Sequence, residues 1–483
     1  MSTSKKTVSG LFWKLLERFG VQGIQFVLQI ILARLLDPTH YGMLSIMVIF
    51  TTLANVFIQS GFNTALIQSK DLEEDDYSSV FWLSLTVAGA LYAAIFFAAP
   101  LIASAYDMAE IITPMRVIAI MLFPGALNSI QVAKISRELN FKKAFASNVS
   151  AIIVSGIVGI VLAYTGAGLW ALVAQSLVNA FVSCTVMRFT VKLKLRLRFN
   201  LARIKTLFSF GWKLLVSSLI DTLYQDIRSL VIGKKYDAST LGYYNRGKQF
   251  PQFIINAVNG SVQSVMLPTM SSFQDDRSKL KELMRTSMTV SSYIIFPIMA
   301  GLAGVAAPLV SLLLTDKWLP CVPYLQIYCF TLAFYPIHSC NLQAINAMGR
   351  SDIFLKLEIV KKAIGITSLV IAVLCFDSPI AIAMTGVITT FISSFINASP
   401  NRKLVGYSYF EQMMDILPSF IMSIIMLGAV LLIGQLQLHN ILIICIQVVA
   451  GVVIYVGLSA ITRAKPFMFV LNAIKTALNK KKA

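Results

Sequence analysis

The sequence predicts an all-α integral membrane protein of about fourteen transmembrane helices. They form two parallel six-helix lobes around a central cavity, with two further helices towards the C-terminus. Three observations predict this. Apolar stretches of about 20 residues, enough to cross a bilayer as a helix, recur along the chain. Of its 483 residues 57% are hydrophobic and 13% charged, with a mean hydropathy of +0.75. A soluble domain carries about 25% charged residues. Basic side chains gather on one side of these stretches, and a sequence pattern returns at an offset of 199 or 200.

In order, the apolar runs place spans over 10–35, 42–69, 77–105, 111–133, 144–166 and 168–187. A second set covers 207–232, 243–269, 286–314, 321–347, 358–376 and 379–399, and the last two cover 413–436 and 440–462. The loops justify this order. Lys5 and Lys6 precede the first span, Lys70 follows the second, and Lys134, Arg137, Lys142 and Lys143 follow the fourth. The segment RFTVKLKLRLRFNLARIK follows the sixth. Arg277, Lys279, Lys281 and Arg285 follow the eighth, Arg350, Lys356, Lys361 and Lys362 the tenth, and Arg402 and Lys403 the twelfth. With the bases beyond the fourteenth span, thirty of the 41 Lys and Arg share one side, and only Arg34, Lys234, Lys235 and Lys317 lie opposite. The positive-inside rule then places both termini in the cytoplasm.

The resulting organisation is an N-lobe over 1–190, a basic cytoplasmic linker over 191–206 and a C-lobe over 207–400. Two additional spans occupy 401–464, and a basic amphipathic tail over 465–483 lies on the cytoplasmic membrane surface. The net charge of +19 follows from these loops and implies no nucleic-acid partner. The first span is too long and too polar for a cleavable signal peptide. Six dispersed cysteines read as small apolar residues. With three His and no P-loop, zinc-ligand cluster or nucleophile motif, the sequence implies no enzyme, cofactor or metal site.

The repeat carries the functional reading. Trp13–Leu16 (WKLL) returns at Trp212–Leu215, and DPTHYG at Asp37–Gly42 resembles DASTLG at Asp237–Gly242. A unit of about 200 residues with an even number of spans gives parallel repeats, with a site expected between them. Lys14, Arg18, Gln22, Gln25 and Gln29 step by three or four residues along one helical face. Their counterparts are Lys213, Ser217, Asp221, Tyr224 and Arg228. On the second helix of each copy, Thr52, Gln59 and Asn63 match Gln252, Asn259 and Gln263, with Asn55 and Asn256 nearby and Arg246 and Lys248 further out. These faces read as walls of a water-filled cavity. Interfacial snorkelling, and helix–helix hydrogen bonding by Asn and Gln, are the plain alternative for any one of them.

Arg and Lys in a cavity suit phosphate, and amides with Tyr suit sugar hydroxyls. Glu17, Asp221 and Asp226 are candidates for ion coupling. The stretch Val265–Ile327, with Pro268, Gln274, Asp275, Lys279, Leu280, Pro297, Gly301, Leu302, Lys317, Trp318 and Pro323, resembles a known family. It is similar to the polysaccharide-transporter branch of the multidrug/oligosaccharidyl-lipid/polysaccharide exporter superfamily, as is SGLFWKLLERFGVQGIQFVLQIILARLLDPTHYGMLSI near the start. The resemblance implies a Wzx-type flippase in a bacterial cytoplasmic membrane. Such a flippase moves undecaprenyl-diphosphate-linked oligosaccharide by alternating access, for assembly of lipopolysaccharide, capsule or exopolysaccharide. Its implied partners are that lipid-linked substrate, membrane lipids, and a polymerase with chain-length machinery. Lys14, Arg18, Lys213 and Arg228 match the basic residues that such flippases place on the first helix of each lobe; Ser217 opposite Arg18 breaks the symmetry. The rival reading is an ion-coupled exporter of cationic drugs from the same superfamily. A membrane enzyme acting on lipid-linked sugars is disfavoured by the short outer loops.

Overall fold

A computed structural model of the chain describes residues 20–59, 66, 74–138, 140–191, 193, 195–196, 199–436, 438–469 and 471–472, with backbone alone at 74, 202–203, 206–210 and 257–265. Among these residues all regular structure is helical. The helices are α1 (Gln22–Leu35), α2 (Pro38–Gln59), α3 (Glu74–Ala105), α4 (Ile112–Ile118), α5 (Leu122–Glu138), α6 (Phe141–Tyr164) and α7 (Leu169–Thr190). There follow α8 (Leu201–Lys235), α9 (Ala238–Ser271), α10 (Arg277–Gly304), α11 (Ala306–Leu314), α12 (Val322–Ala333) and α13 (Tyr335–Ala347). The last are α14 (Ser351–Cys375), α15 (Pro379–Ala398), α16 (Asn401–Leu404), α17 (Tyr409–Ile433) and α18 (Asn440–Ile461). Three-residue 3₁₀ turns flank α4, so the expected fourth span is one continuous 30-residue rod over Ala109–Glu138.

Nine segments among the described residues are long and apolar enough to cross a membrane. The remaining expected spans fail that criterion for separate reasons. Only 14 residues of the first lie in α1, while α8 and α9 carry charged and amide side chains. The tenth is broken between α12 and α13 beside Pro336. The eleventh, α14, brings Asp352, Lys356, Glu358, Lys361 and Lys362 into its first half.

The chain packs as two compact units, 1–245 and 246–483. In the first, Leu28, Leu32 and Leu36 at the α1 end bury against Ile152, Ala163, Ala171 and Leu172 of α6 and α7. Gly156 lets α1 come close, because a Cβ there would stand 2.8 Å from Leu28 Cδ1. The basic linker belongs to this unit. The Arg196 and Asn200 amides donate to Ser78 and Ser79 of α3 at 3.0 and 3.1 Å, and the Trp82 indole donates to the Arg196 carbonyl at 2.9 Å. Serines at the start of α3 thus satisfy backbone groups at Arg196 and Asn200, while the expected linker is already helical from Leu201.

The two copies of the repeated turn meet inside this unit. Gly42 in α2 lies against Ala238, and Gly242 in α9 lies against Pro38. Ala238-x-x-x-Gly242 has the small-residue spacing that lets membrane helices approach backbone to backbone. Asp237 closes the start of α9: Thr240 N–H donates to Oδ1 at 2.8 Å and Ser239 Oγ to Oδ2 at 2.9 Å. Burial raises the Asp237 pKa, but the Thr240 and Ser239 hydrogen bonds outweigh it and hold the carboxyl below its ordinary value. A depressed folded-state pKa contributes stability above the unfolded value, about 3.9, and that contribution fades as pH falls through the folded one. Asp237→Asn is therefore expected to lose less thermal stability than wild type on acidification from pH 6 to pH 3. Parallel pH curves for the two proteins would exclude this role.

In the second unit α17 and α18 pack on α10. Tyr293, Val305, Met422, Met426, Val430 and Tyr455 form one buried cluster. Tyr293 Oη donates to Ser459 Oγ, and Tyr455 Oη donates to the Tyr293 carbonyl, each at 2.9 Å. At one end of α17, Arg285 and Tyr407 both donate to the Asp415 carboxylate, and Lys281 pairs with Glu411 at 3.1 Å. Burial, then the bond to Asp415, pushes the Tyr407 hydroxyl well above its usual range, so it stays a donor. The two additional helices are thereby integral to the packing of this unit. Their outer faces carry exposed Ile, Leu and Val, as a lipid-facing surface requires.

Candidate functional site

The first unit holds a half-open cavity of about 400 Å³ among α1, α2, α6 and α7. Gln25 and Gln29, two of the residues singled out on the first span, line it with Leu28, Leu32 and Val48. Thr51 and Thr52 reach it from α2, Asn148 and Ser155 from α6, and Gln175, Ser176 and Asn179 from α7. Three of the hydroxyls are committed locally. Thr51 Oγ1 donates to the Met47 and Val48 carbonyls at 3.0 Å, Ser155 Oγ to Ile152 at 3.2 Å and Ser176 Oγ to Leu172 at 2.9 Å. Asn179 Nδ2 donates to Ser155 Oγ at 3.3 Å, joining α7 to α6.

Among the described residues no charged side chain lines this cavity. Amides and hydroxyls offer donors and acceptors together, which suits a hydroxyl-rich ligand or water and gives a diphosphate no counter-charge. The amides from α6 and α7 are not among the residues expected from the sequence. Asn148, Gln175 and Asn179 lie on the fifth and sixth spans, whose runs are otherwise apolar. A signal was present, because Gln175 and Asn179 stand four residues apart on one face.

The other expected site residues distribute as follows. Lys14, Glu17, Arg18 and Asn63 lie outside the described residues, as do the Asn259 side chain and the tail beyond residue 472. Gln22 is half-buried on α1, and Gln59 is exposed at the end of α2. Asn55 donates from Nδ2 to the Thr51 carbonyl at 3.1 Å, and its Oδ1 leaves no room for a Cβ at Gly125, which would stand 2.9 Å away. Packing between α2 and α5 therefore uses Asn55. On α8, Lys213 is exposed, while Asp221, Tyr224, Asp226 and Arg228 are half-buried. Lys213, Asp221, Tyr224 and Arg228 share one face over more than three turns, and Asp226 lies off it.

Arg246 differs from the expectation of an open wall. It is buried at 5% exposure, with its guanidinium 5.1 Å from the centre of the Trp318 ring and Nη1 donating to Gln249 Oε1 at 2.6 Å. Trp318 is fully buried, and Gly247 admits Tyr324 beside it. The Asp-Lys-Trp segment thus supplies an aromatic platform for a buried cation, an interaction that strengthens as water is excluded. Lys248 stays half-buried, and Asn256, which accepts from Gln252 Nε2 at 2.9 Å, is exposed.

Long apolar helices beside a polar cavity are the architecture of a multi-pass membrane transporter. The profile of the polysaccharide biosynthesis protein family matches residues 31–323, and the chain belongs to that family. Its relatives include the lipopolysaccharide biosynthesis protein WzxC of Escherichia coli K12, 24% identical over 436 residues that cover 88% of this chain and 87% of WzxC. The succinoglycan biosynthesis transport protein ExoT of Rhizobium meliloti 1021 is 23% identical over 353 residues, covering 73% of this chain and 72% of ExoT. Among solved structures, the lipid II flippase MurJ in its inward closed conformation superimposes with a TM-score of 0.75. That match is 16% identical and covers 94% of this chain and 98% of MurJ, a likeness of fold. The helical transporter fold and the family expected from the residues are thus found, and the enzyme reading falls.

Proposed function

We propose that this transporter is a flippase for undecaprenyl-diphosphate-linked oligosaccharide repeat units, working by alternating access in a bacterial cytoplasmic membrane with both termini cytoplasmic. The observation that carries the reading is the uncharged cavity edged by Gln25, Gln29, Thr52, Asn148, Gln175 and Asn179 in a polysaccharide biosynthesis family member. Its chemistry suits sugar hydroxyls and leaves the diphosphate to cations elsewhere. Arg18, Lys14, Lys213 and Arg228 are the candidates, since Arg grips phosphate with two parallel hydrogen bonds. The 1–190 and 207–400 lobes rock, the prenyl tail stays in lipid, and Glu17, Asp221 or Asp226 couples an ion. Polymerase and chain-length proteins are the partners that would consume the product.

Translocation of a fluorescent polyprenyl-diphosphate oligosaccharide in proteoliposomes tests this. Wild type moves it; Arg18→Ala and Arg228→Ala are expected to lose at least tenfold in rate while folding and inserting normally. Gln25→Leu with Gln175→Leu should slow long glycans more than a polyprenyl diphosphate bearing one sugar. No movement, with proton- or sodium-driven efflux of small cations instead, would replace this reading by the drug exporter.

A further inference from the structure

Arg116 is a cation within the apolar segment Ala109–Glu138 that the transport reading leaves unused. It sits on α4, half-buried, beside the lipid-facing helix α3, where Phe97 and Leu101 are 75% and 74% exposed. Its partner is a backbone defect. Pro100 lies inside α3 and has no N–H, so the Phe96 carbonyl, four residues earlier, loses its helical donor. Arg116 Nε–H donates to that carbonyl at 3.1 Å. The guanidinium carbon also lies 4.3 Å from the centre of the Phe96 ring, which packs edge-on against Phe97 at 5.6 Å.

These two contacts fix the guanidinium plane and occupy one of its five N–H donors. The Nη1 and Nη2 groups have no partner among the described residues, and no carboxylate there pairs with Arg116. A structural role explains the Nε contact but leaves the charge and both Nη groups to be met at the lipid boundary. The 32 residues of α3 extend roughly 48 Å, well beyond a hydrocarbon core of about 30 Å. Phe96, about 13 Å from the Ala105 end, therefore lies near the margin of that core, within reach of headgroups.

We propose that Arg116 is a docking point for the phosphate of a membrane lipid, gripped by Nη1 and Nη2 while Nε holds the Phe96 carbonyl. An Arg fork matches two phosphate oxygens, and the exposed Phe97 offers apolar contact beside it. Placing the lipid in the outer leaflet rests on the orientation proposed above; the binding does not.

The test separates the two roles of Arg116. Pro100→Ala restores the N–H for the Phe96 carbonyl, so Arg116→Gln in that background removes the anion contact and the Phe96 ring contact without stranding the carbonyl. Native mass spectrometry of the full chain, titrated with phosphatidylglycerol, counts bound lipids. Wild type and Pro100→Ala are expected to retain one lipid more than Pro100→Ala/Arg116→Gln, while the single and double variants unfold at the same temperature. Arg116→Lys should bind that lipid at least threefold more weakly, lacking the fork. Inorganic diphosphate should fail to displace it. Equal lipid counts in all proteins would overturn the proposal, and displacement by inorganic diphosphate at equal concentration would overturn its lipid part. Phosphatidylglycerol is not the transported substrate, so neither outcome depends on whether the flippase reading stands.

Discussion

Gly42→Ala is expected to abolish stable folding of the detergent-solubilised chain, and Gly242→Ala to do nearly as much. A Cβ at Gly42 would fall 1.7 Å from the Ala238 carbonyl oxygen and 2.6 Å from its carbon; one at Gly242 would fall 2.1 Å from the Pro38 oxygen. Both obstacles are backbone, so no side chain can swing aside. The first turns of α2 and α9 would have to separate by more than about 1 Å, a cost of at least roughly 3 kcal/mol by analogy with severe overpacking. Gly89, where a Cβ would meet nothing within 4 Å, is the internal control. There, alanine should be neutral or gain about 0.5–1 kcal/mol, as at a helical glycine with room for a methyl group. Thermal unfolding followed by fluorescence decides: a Gly42→Ala protein melting at the wild-type temperature would refute the close approach.

Asn341→Leu is the second large effect, expected to cost on the order of 2–3 kcal/mol. Asn341 is fully buried on α13 and ties that helix to α16 and α17. Its Nδ2 donates to Gln412 Oε1 at 2.8 Å, and its Oδ1 accepts from Gln412 Nε2 at 3.0 Å and from Asn401 Nδ2 at 2.7 Å. Gln412 also reaches the Tyr407 carbonyl at 3.3 Å, and Asn397 Nδ2 lies 3.2 Å from His338 Nδ1. A leucine keeps the volume but strands the Gln412 and Asn401 amides in a buried site. Double-mutant cycles between buried hydrogen-bonding groups in membranes average only about 0.6 kcal/mol, so the predicted loss comes from the stranded partners. Gln412→Leu added to Asn341→Leu should therefore cost less than the sum of the two single changes. Strict additivity would show that the amides do not act as one network.

How far the sequence reveals these features depends on the distance over which each is encoded. Hydropathy located the nine apolar segments because each is a local property of some 20 residues. It misjudged the start of the second, placed at 42, because Pro38 already opens α2 at the position where proline is best tolerated. It also read the ninth span as continuous to 314, whereas α10 ends at Gly304 and a separate α11 follows. The polar stripe of the first span contains Gln25 and Gln29, which the structure places at the cavity. Asn148 escaped because one amide in an apolar run is indistinguishable from helix–helix glue until its neighbours are known, whereas the Gln175–Asn179 pair on one face was a readable signal.

The sequence by itself determined the membrane class and the internal repeat. Each is a sum over many residues, and no single contact can alter it. Tertiary structure alone decided that the two repeated turns touch glycine to glycine and that Arg246 is spent on Trp318. It alone decided that Arg116 answers a carbonyl opened by Pro100, and that Gln412 and Asn401 close on Asn341. These depend on which groups lie within about 3 Å across helices, and hydrogen bonds and steric contacts act only at that range.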